Sequence, residues 1–213
     1  MSESEDILTR AIATLTGDLC LRVGPELIAQ CRPVEFVEET RPFPESAATW
    51  VCASHAFFTL IKDRSTTLVF SHSNQTLYYA SPAVELGRDC PSGVALLCQF
   101  TMDSKSESKI DSKMDSNMDS KMDSKMDRAE SGTPEPRLLV FDVLSCPMGT
   151  PAMARGEHLR ALAVHLQQPL CCVQWVGLGR YLTAAFVSRL PHPVKGLCQI
   201  SDEAGKLGVV RGI

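Results

Sequence analysis

The chain has 213 residues, 44% of them apolar, with 25 Asp plus Glu against 21 Lys plus Arg and a formal charge of −4. That length and apolar content are enough to close one core of ordinary size, and they exclude a wholly disordered chain. Its longest apolar run falls far short of the roughly 18 to 20 residues a membrane helix needs, and Met1-Ser-Glu-Ser-Glu-Asp6 is acidic where a secretion signal is basic and then apolar. Neither membrane insertion nor secretion is expected.

Ser2 and Glu5 have capping-box spacing, and Ile7, Leu8, Ala11, Ile12 and Leu15 share one helical face before Gly17 stops the helix. The apolar, aromatic stretch from Trp50 to Ile61 follows. Thr66 to Phe70 and Thr76 to Ala80 then flank the turn-forming His72-Ser73-Asn74-Gln75, so the spacing predicts an antiparallel meander from Val51 to Ala80. Val94–Phe100 and Arg137–Leu144 are apolar runs of strand length and read as neighbouring strands. Alternation along the second places Leu139, Phe141 and Val143 on one face, with Leu138, Val140, Asp142 and Leu144 on the other.

Residues 102–136 separate those two runs. They repeat with a period of four (MDSK, SESK, IDSK, MDSN, MDSK, MDSK) and end in Gly132-Thr-Pro-Glu-Pro136. An apolar residue every fourth position drifts about 40° per repeat around a helix and makes no core-facing stripe. The segment therefore reads as a solvated, disordered insert within a single domain formed by residues 1–101 and 137–213. It holds nine acidic and six basic residues, leaving 16 acids against 15 Lys plus Arg elsewhere. A near-neutral folded part gives no signal of a broad basic surface for nucleic-acid backbone.

A second helix is expected from about Arg155 to Leu166, where Leu159, Leu162, Ala163 and Leu166 share a face and Pro169 ends it. Short apolar runs close the chain at Leu170–Val176, Tyr181–Val187 and Val194–Ile200. The fold class is α+β, with a mostly antiparallel sheet and few helices. Nine cysteines occur without one Cys-x-x-Cys pair, which excludes zinc-ribbon and thioredoxin spacing. Cys52, Cys98, Cys171, Cys172 and Cys198 sit in apolar runs and read as small core residues in a reducing compartment.

No Walker loop, G-x-G-x-x-G, G-x-S-x-G or H-E-x-x-H is present, and the five histidines have no metal-ligand spacing. The element order over residues 48 to 200 carries more. A meander precedes an apolar strand ending Leu97-Cys-Gln-Phe100. The strand Leu138-Leu-Val-Phe-Asp-Val-Leu144, a helix with Arg155, Leu159 and Leu162, and Lys195-Gly-Leu-Cys-Gln-Ile200 come after it. This order resembles the adenylation or guanylylation domain of covalent nucleotidyltransferases, the messenger-RNA capping enzymes and nucleic-acid ligases. In that family a K-x-D-G-x-R motif, a D-G-E-L strand, a Y-L-V-F-D-(I/V)-L strand, an R-x-x-x-L helix and a D-G-L-I-F strand surround the nucleotide.

The catalytic groups of that family are missing at the matching positions. Its lysine amine attacks the α-phosphate, and nothing else there substitutes for a nucleophile. Here Val51-Cys-Ala-Ser-His-Ala56 puts Val51 in the lysine slot, Gln99 stands in the D-G-E-L segment, and Asp-Gly occurs nowhere. Val51–His55 also resembles the opening strand of snurportin, the branch that lost the lysine and binds a trimethylguanosine cap. The resemblance thus implies a non-catalytic nucleotidyltransferase-like domain binding an RNA cap or a guanosine nucleotide. It implies no cofactor and no metal. Trp50 would offer an aromatic face, Ser54, His55 and Lys195 donors for phosphate or ribose, and Asp142 an orienting carboxylate. These residues are expected to converge on one cleft. Two alternatives stand beside it: an active RNA ligase or nucleotidyltransferase using Lys62, and a protein-interaction adaptor without a small ligand. The expected partners are capped RNA, a guanosine nucleotide or a protein, in cytoplasm or nucleus.

Overall fold

A computed structural model describes residues 3–17, 22–23, 34–38, 48–52, 56–103, 135–166, 170–173, 177–178, 189, 194–202 and 205–211, with residues 3–4, 38, 48–52, 103, 172, 177–178 and 209–211 described by backbone alone. Helix α1 spans Glu3–Thr16 and α2 spans Ala152–Leu162. The strands are β1 (Glu35–Glu38), β2 (Ala48–Cys52), β3 (Phe57–Asp63), β4 (Thr66–Ser71), β5 (Thr76–Tyr79), β6 (Ala95–Asp103), β7 (Glu135–Val143), β8 (Cys171–Val173), β9 (Gly177–Leu178), β10 (Gly196–Ile200) and β11 (Lys206–Arg211). They form a six-stranded sheet in the order β5-β4-β3-β6-β7-β8 and a five-stranded sheet in the order β1-β11-β10-β2-β9. Among the described residues only β7–β8 and β1–β11 run parallel, so the architecture is α+β with dominantly antiparallel sheets. Among the described residues no helix is long and apolar enough to cross a membrane.

The apolar stripe of α1 builds its packing directly. Ala11 and Leu15 are fully buried, with Ile7, Leu8 and Ile12 against the same cluster. Gly17 ends the helix in the left-handed region at φ 72°, and its N–H returns to the Ala13 carbonyl at 3.0 Å. Ser2, the expected cap, lies outside the described residues. Helix α2 begins three residues earlier than expected, directly after Pro151, and tightens into a 3-10 turn at Ala163–His165 instead of running on to Leu166. Its core face is Arg155, Leu159 and Leu162.

The meander is real but shorter than expected. Strands β3, β4 and β5 pair in sequence through a tight turn at Arg64 and the His72–Gln75 loop. The Val51 end belongs elsewhere: β2 pairs with β10 and β9 in the other sheet. A continuous apolar run hides this break, because hydrophobicity reports burial and not which sheet a strand joins. Strands β6 and β7 are antiparallel neighbours, as expected, and their ladder runs to Asp103 opposite Glu135. It therefore takes in residues 102–103 and 135–136 of the segment read as insert; residues 104–134 lie outside the described residues. The run Tyr181–Val187 does too.

One face of the six-stranded sheet carries Phe58, Leu60, Val69, Leu96, Cys98, Phe100, Leu138 and Val140 beneath both helices. The other meets the five-stranded sheet through Phe57, Leu97, Phe141 and Leu144 against Cys198, Ile200 and Leu207. Simple alternation fails along β7. Register jumps from Leu97–Asp142 to Cys98–Val140, so Phe141 is an extra residue in a β-bulge. Beyond it the faces exchange: Val143 joins Leu138 and Val140 under the helices, and Leu144 joins Phe141 between the sheets. Cys98, Cys171 and Cys198 are buried free thiols, and burial pushes the Cys98 thiol well above its ordinary pKa. The Cys52 and Cys172 side chains are outside the described set.

Candidate functional site

Strand alternation and the inter-sheet cluster identify the inner face of the six-stranded sheet. Phe57, Thr59 and Ile61 of β3 share it with Leu97, Gln99 and Thr101 of β6, in a register that sets Thr59 opposite Leu97 and Phe57 opposite Gln99. A face between two sheets is ordinarily apolar. Here Thr59, Gln99 and Thr101 are all buried on it. Across β7, Arg137 stands opposite Thr101 and remains partly exposed, its Nη2 at 3.4 Å from the Glu135 carboxylate. The strip thus grades from neutral hydrogen-bonding groups to a cation at its rim.

His72 extends the strip past β4. Its Nε2 lies 2.8 Å from Thr59 Oγ1, and its ring meets Phe70 edge-on at 5.0 Å and Phe36 at 6.0 Å. Burial lowers its pKa to about 4, so the imidazole is neutral at pH 7. Position 72 lies in the expected turn, and from there its ring reaches the seam between the two sheets. Phe36 comes from β1, at the edge of the five-stranded sheet, and stands against Phe57 at 4.7 Å. The sequence around Phe36, Glu-Phe-Val-Glu, is too short and too polar to announce a strand, which is why periodicity missed it.

The residues expected to form the cleft fare differently. Asp142 is buried and engaged: its Oδ1 and Oδ2 accept from Arg155 Nε at 2.8 Å and Nη2 at 3.2 Å, and Oδ1 also accepts from the Val143 N–H. Arg155 spends its remaining N–H groups on the carbonyls of Thr150, Ser201 and Asp202. All five donors of the guanidinium are matched. This carboxylate locks β7, α2 and the segment after β10 together.

Lys195 is exposed and immediately precedes β10, where Gly196 pairs with Cys52. Asp142 reaches, through Arg155, the opposite end of β10 at Ser201. Six residues of extended chain separate those ends by about 20 Å. The structure does not bring Asp142 and Lys195 together. Trp50 lies on β2 with its backbone opposite Cys198, and its side chain is outside the described set. Ser54 and His55 lie outside the described residues. Trp50 and Lys195 border the same pair of strands, β2 and β10, so this part of the expected cleft shares one region of the five-stranded sheet.

Lys62, the alternative nucleophile, is 1% exposed and donates to the Leu86 carbonyl at 3.0 Å. Alternation on β3 places it on the helix-covered face, opposite to that of Thr59. Burial raises the nearby Cys90 thiol's pKa, and the charge of Lys62 pulls it partly back. The amine is thus walled in on the helix-covered side, away from the inner sheet face. Val51 occupies β2 with no amine to offer. Among the described residues no group of three or more His, Cys, Asp or Glu is arranged to hold a metal ion.

No family model matches the chain, and no curated protein matches it. Solved structures show a distant likeness. A mycobacterial DNA ligase D complexed with ATP and MES is similar at 12% identity and a TM-score of 0.49, over 84% of this chain and 60% of that one. The ligase domain from M. tuberculosis LigD is similar at 11% identity and a TM-score of 0.49, over 84% and 59%. The chain spans about 60% of the length of these ligase structures.

Proposed function

We propose that this protein is a non-catalytic nucleotidyltransferase-like domain that binds a guanosine nucleotide or an RNA cap between its two sheets. The observation that carries this is the buried polar strip of Thr59, Gln99 and Thr101 on the inner sheet face, with Arg137 at its rim. Burying hydrogen-bonding groups where apolar ones would pack as well has a desolvation cost, which Thr59 offsets through His72, and amides and hydroxyls are the groups that read a base or a ribose. Gln99 supports binding over turnover. An amide there accepts and donates hydrogen bonds and supplies no negative charge for a divalent ion. The buried Lys62 and the apolar Val51 leave neither of these two positions placed for attack at the α-phosphate.

The test uses the full chain. Equilibrium titration with guanosine, monomethyl cap and trimethyl cap analogues is expected to give saturable binding to at least one of them. Gln99→Leu, which keeps the volume and removes the amide, should weaken it about tenfold or more. Incubation with α-labelled GTP and Mg²⁺ should leave no labelled band on a denaturing gel. Absence of saturable binding to all three probes overturns the proposal and favours the protein-interaction adaptor. A labelled band lost in Lys62→Ala overturns it in favour of an active transferase.

A further inference from the structure

Both helices cover the same face of the six-stranded sheet, but their outer sides differ. Helix α1 turns Glu5, Thr9 and Arg10 to solvent, and Arg10 closes a pair with Asp6 one turn away at 2.9 Å. Helix α2 buries Ala152, Arg155, Leu159 and Leu162, which leaves Met153, Glu157, Arg160 and, in the 3-10 turn that continues it, Val164 along the opposite side. Met153 is 44% exposed and Val164 59%. Of the six large apolar residues exposed among the described residues, Met148, Met153 and Val164 lie on α2 or in the turns at its ends. Glu157 and Arg160 are opposite in charge and one turn apart, yet among the described residues neither makes an ion pair. Gly156 flanks this line, and no other part of the chain comes within 4 Å of where its Cβ would stand. A glycine inside a helix is destabilising relative to alanine, and nothing in this chain uses the space it leaves.

The order of these residues fits a second copy of the same helix. Where two identical helices lie antiparallel across a two-fold axis, residues equidistant from the axis on its two sides meet. Glu157 and Arg160 are equidistant from the point between His158 and Leu159, and so are Met153 and Val164. One position of the axis therefore sets Glu157 of each copy against Arg160 of the other, twice, and Met153 against Val164 at both ends. Parallel docking would instead set Glu157 on Glu157. The open side of Gly156 lets the two backbones approach closely. An unrelated partner would have to bring its own matching set of charges, whereas a second copy already carries it. Three turns of helix make a patch at the small end of stable interfaces, so the pairing is weak and depends on concentration.

We infer that the outer face of α2 is a self-docking surface through which two copies of this chain pair antiparallel, with reciprocal Glu157–Arg160 contacts at the centre and Met153 against Val164 at the ends. The charges fix orientation and register, and the apolar ends supply contact area. Helix α2 lies on the face of the six-stranded sheet opposite to Thr59, Gln99 and Thr101. Docking there leaves the inner sheet face of both copies uncovered, so this inference stands or falls independently of the guanosine reading.

The experiment is sedimentation equilibrium of the full chain from roughly 1 to 500 µM, the range of weak association, as wild type, Glu157→Arg, Arg160→Glu and the double variant. Both positions are exposed, and circular dichroism with melting curves establishes that each variant is folded. Wild type is expected to pass from monomer to dimer as concentration rises. Each single variant sets like charges against each other at the centre and should weaken self-association by about tenfold or more. An equimolar mixture of the two single variants should associate about as wild type does, because one then offers two cations to the two carboxylates of the other. The double variant exchanges both charges and should dimerise as well. A wild type that stays monomeric over the whole range overturns the inference and leaves this face to a different partner. Self-association that both single variants retain, or single variants that fail to associate when mixed, overturns it too.

Discussion

Beside the apolar cluster of Leu97 and Leu144 with Cys198, Ile200 and Leu207, two contacts join the sheets of this protein by opposite means. At the Ser201 end of β10, Arg155 and Asp142 form a buried ion pair in which every guanidinium N–H has an acceptor. At the β1 edge, Phe36, Phe57, Phe70, His72 and Phe141 touch ring to ring, with Phe36 half-open to solvent. Saturated hydrogen bonding leaves no capacity for a ligand and makes a fixed joint. Aromatic contact is less directional and leaves Phe36 partly exposed. A conspicuous buried charge is thus poor evidence of a binding site, because a buried charge must already be paired to be tolerated at all.

The contrast breaks most visibly at the ion pair. Arg155→Met should destabilise by about 3 to 5 kcal/mol, since Asp142 is left as an unpaired buried charge and three carbonyls lose their donor. In a chain of this length each kcal/mol lowers the melting temperature by roughly 2 to 4 °C, so a fall on the order of 10 °C is expected by calorimetry. Arg155→Lys should recover little, because one ammonium cannot reproduce the five-donor fork. A fall of less than about 2 °C for Arg155→Met would mean that the joint is not fixed by this pair.

The seam answers to pH instead. His72 has a folded pKa of about 4 against 6.5 when unfolded, so between those values the unfolded chain binds more protons. Stability from this group is complete above pH 6.5 and declines as pH falls towards 4, by about 3 kcal/mol in all. Denaturant titrations at pH 7, 5.5 and 4.5 on wild type and His72→Gln should show a shallower decline in the variant. Parallel curves would place His72 in solvent and remove its contacts with Thr59, Phe36 and Phe70.

The smallest effect is expected far from both joints. We propose that residues 104–131 add nothing to the core, since their four-residue repeat makes no coherent apolar face. Each doubling of a flexible loop costs only about 0.6 kcal/mol, so their deletion should leave the melting temperature unchanged or slightly raised. A drop of more than about 5 °C in scanning calorimetry would show that the segment packs against one of the two joints.

How much of this was legible in the chain follows from the range of each signal. Helix α1, the β3–β4–β5 meander and the β6–β7 pair were readable because their evidence is local: a 3.6-residue stripe ending at Gly17, turn residues at 72–75, and apolar runs of strand length. The bulge at Phe141 was not, since nothing in Leu138–Leu144 marks an extra residue; its existence depends on the register of a partner strand. Asp142 was noticed for its motif, but its partner lies thirteen residues on and its other anchors follow a different strand, so its role as a joint could not be read from the motif.

The sequence by itself determined the α+β class, most element positions, the valine at position 51, the absence of any Asp-Gly pair, and the polar character of Gln99. Each of these is a property of residue type and spacing within a few turns of chain. Only the tertiary structure decided that β2 leaves the meander for a second sheet, that Asp142 and Lys195 lie at opposite ends of β10, that Lys62 is sealed against Leu86, and that Phe36 meets His72. Those outcomes depend on which face of one sheet meets which edge of another, and contacts of that range are set by packing between segments whose own patterns are satisfied equally well in several arrangements.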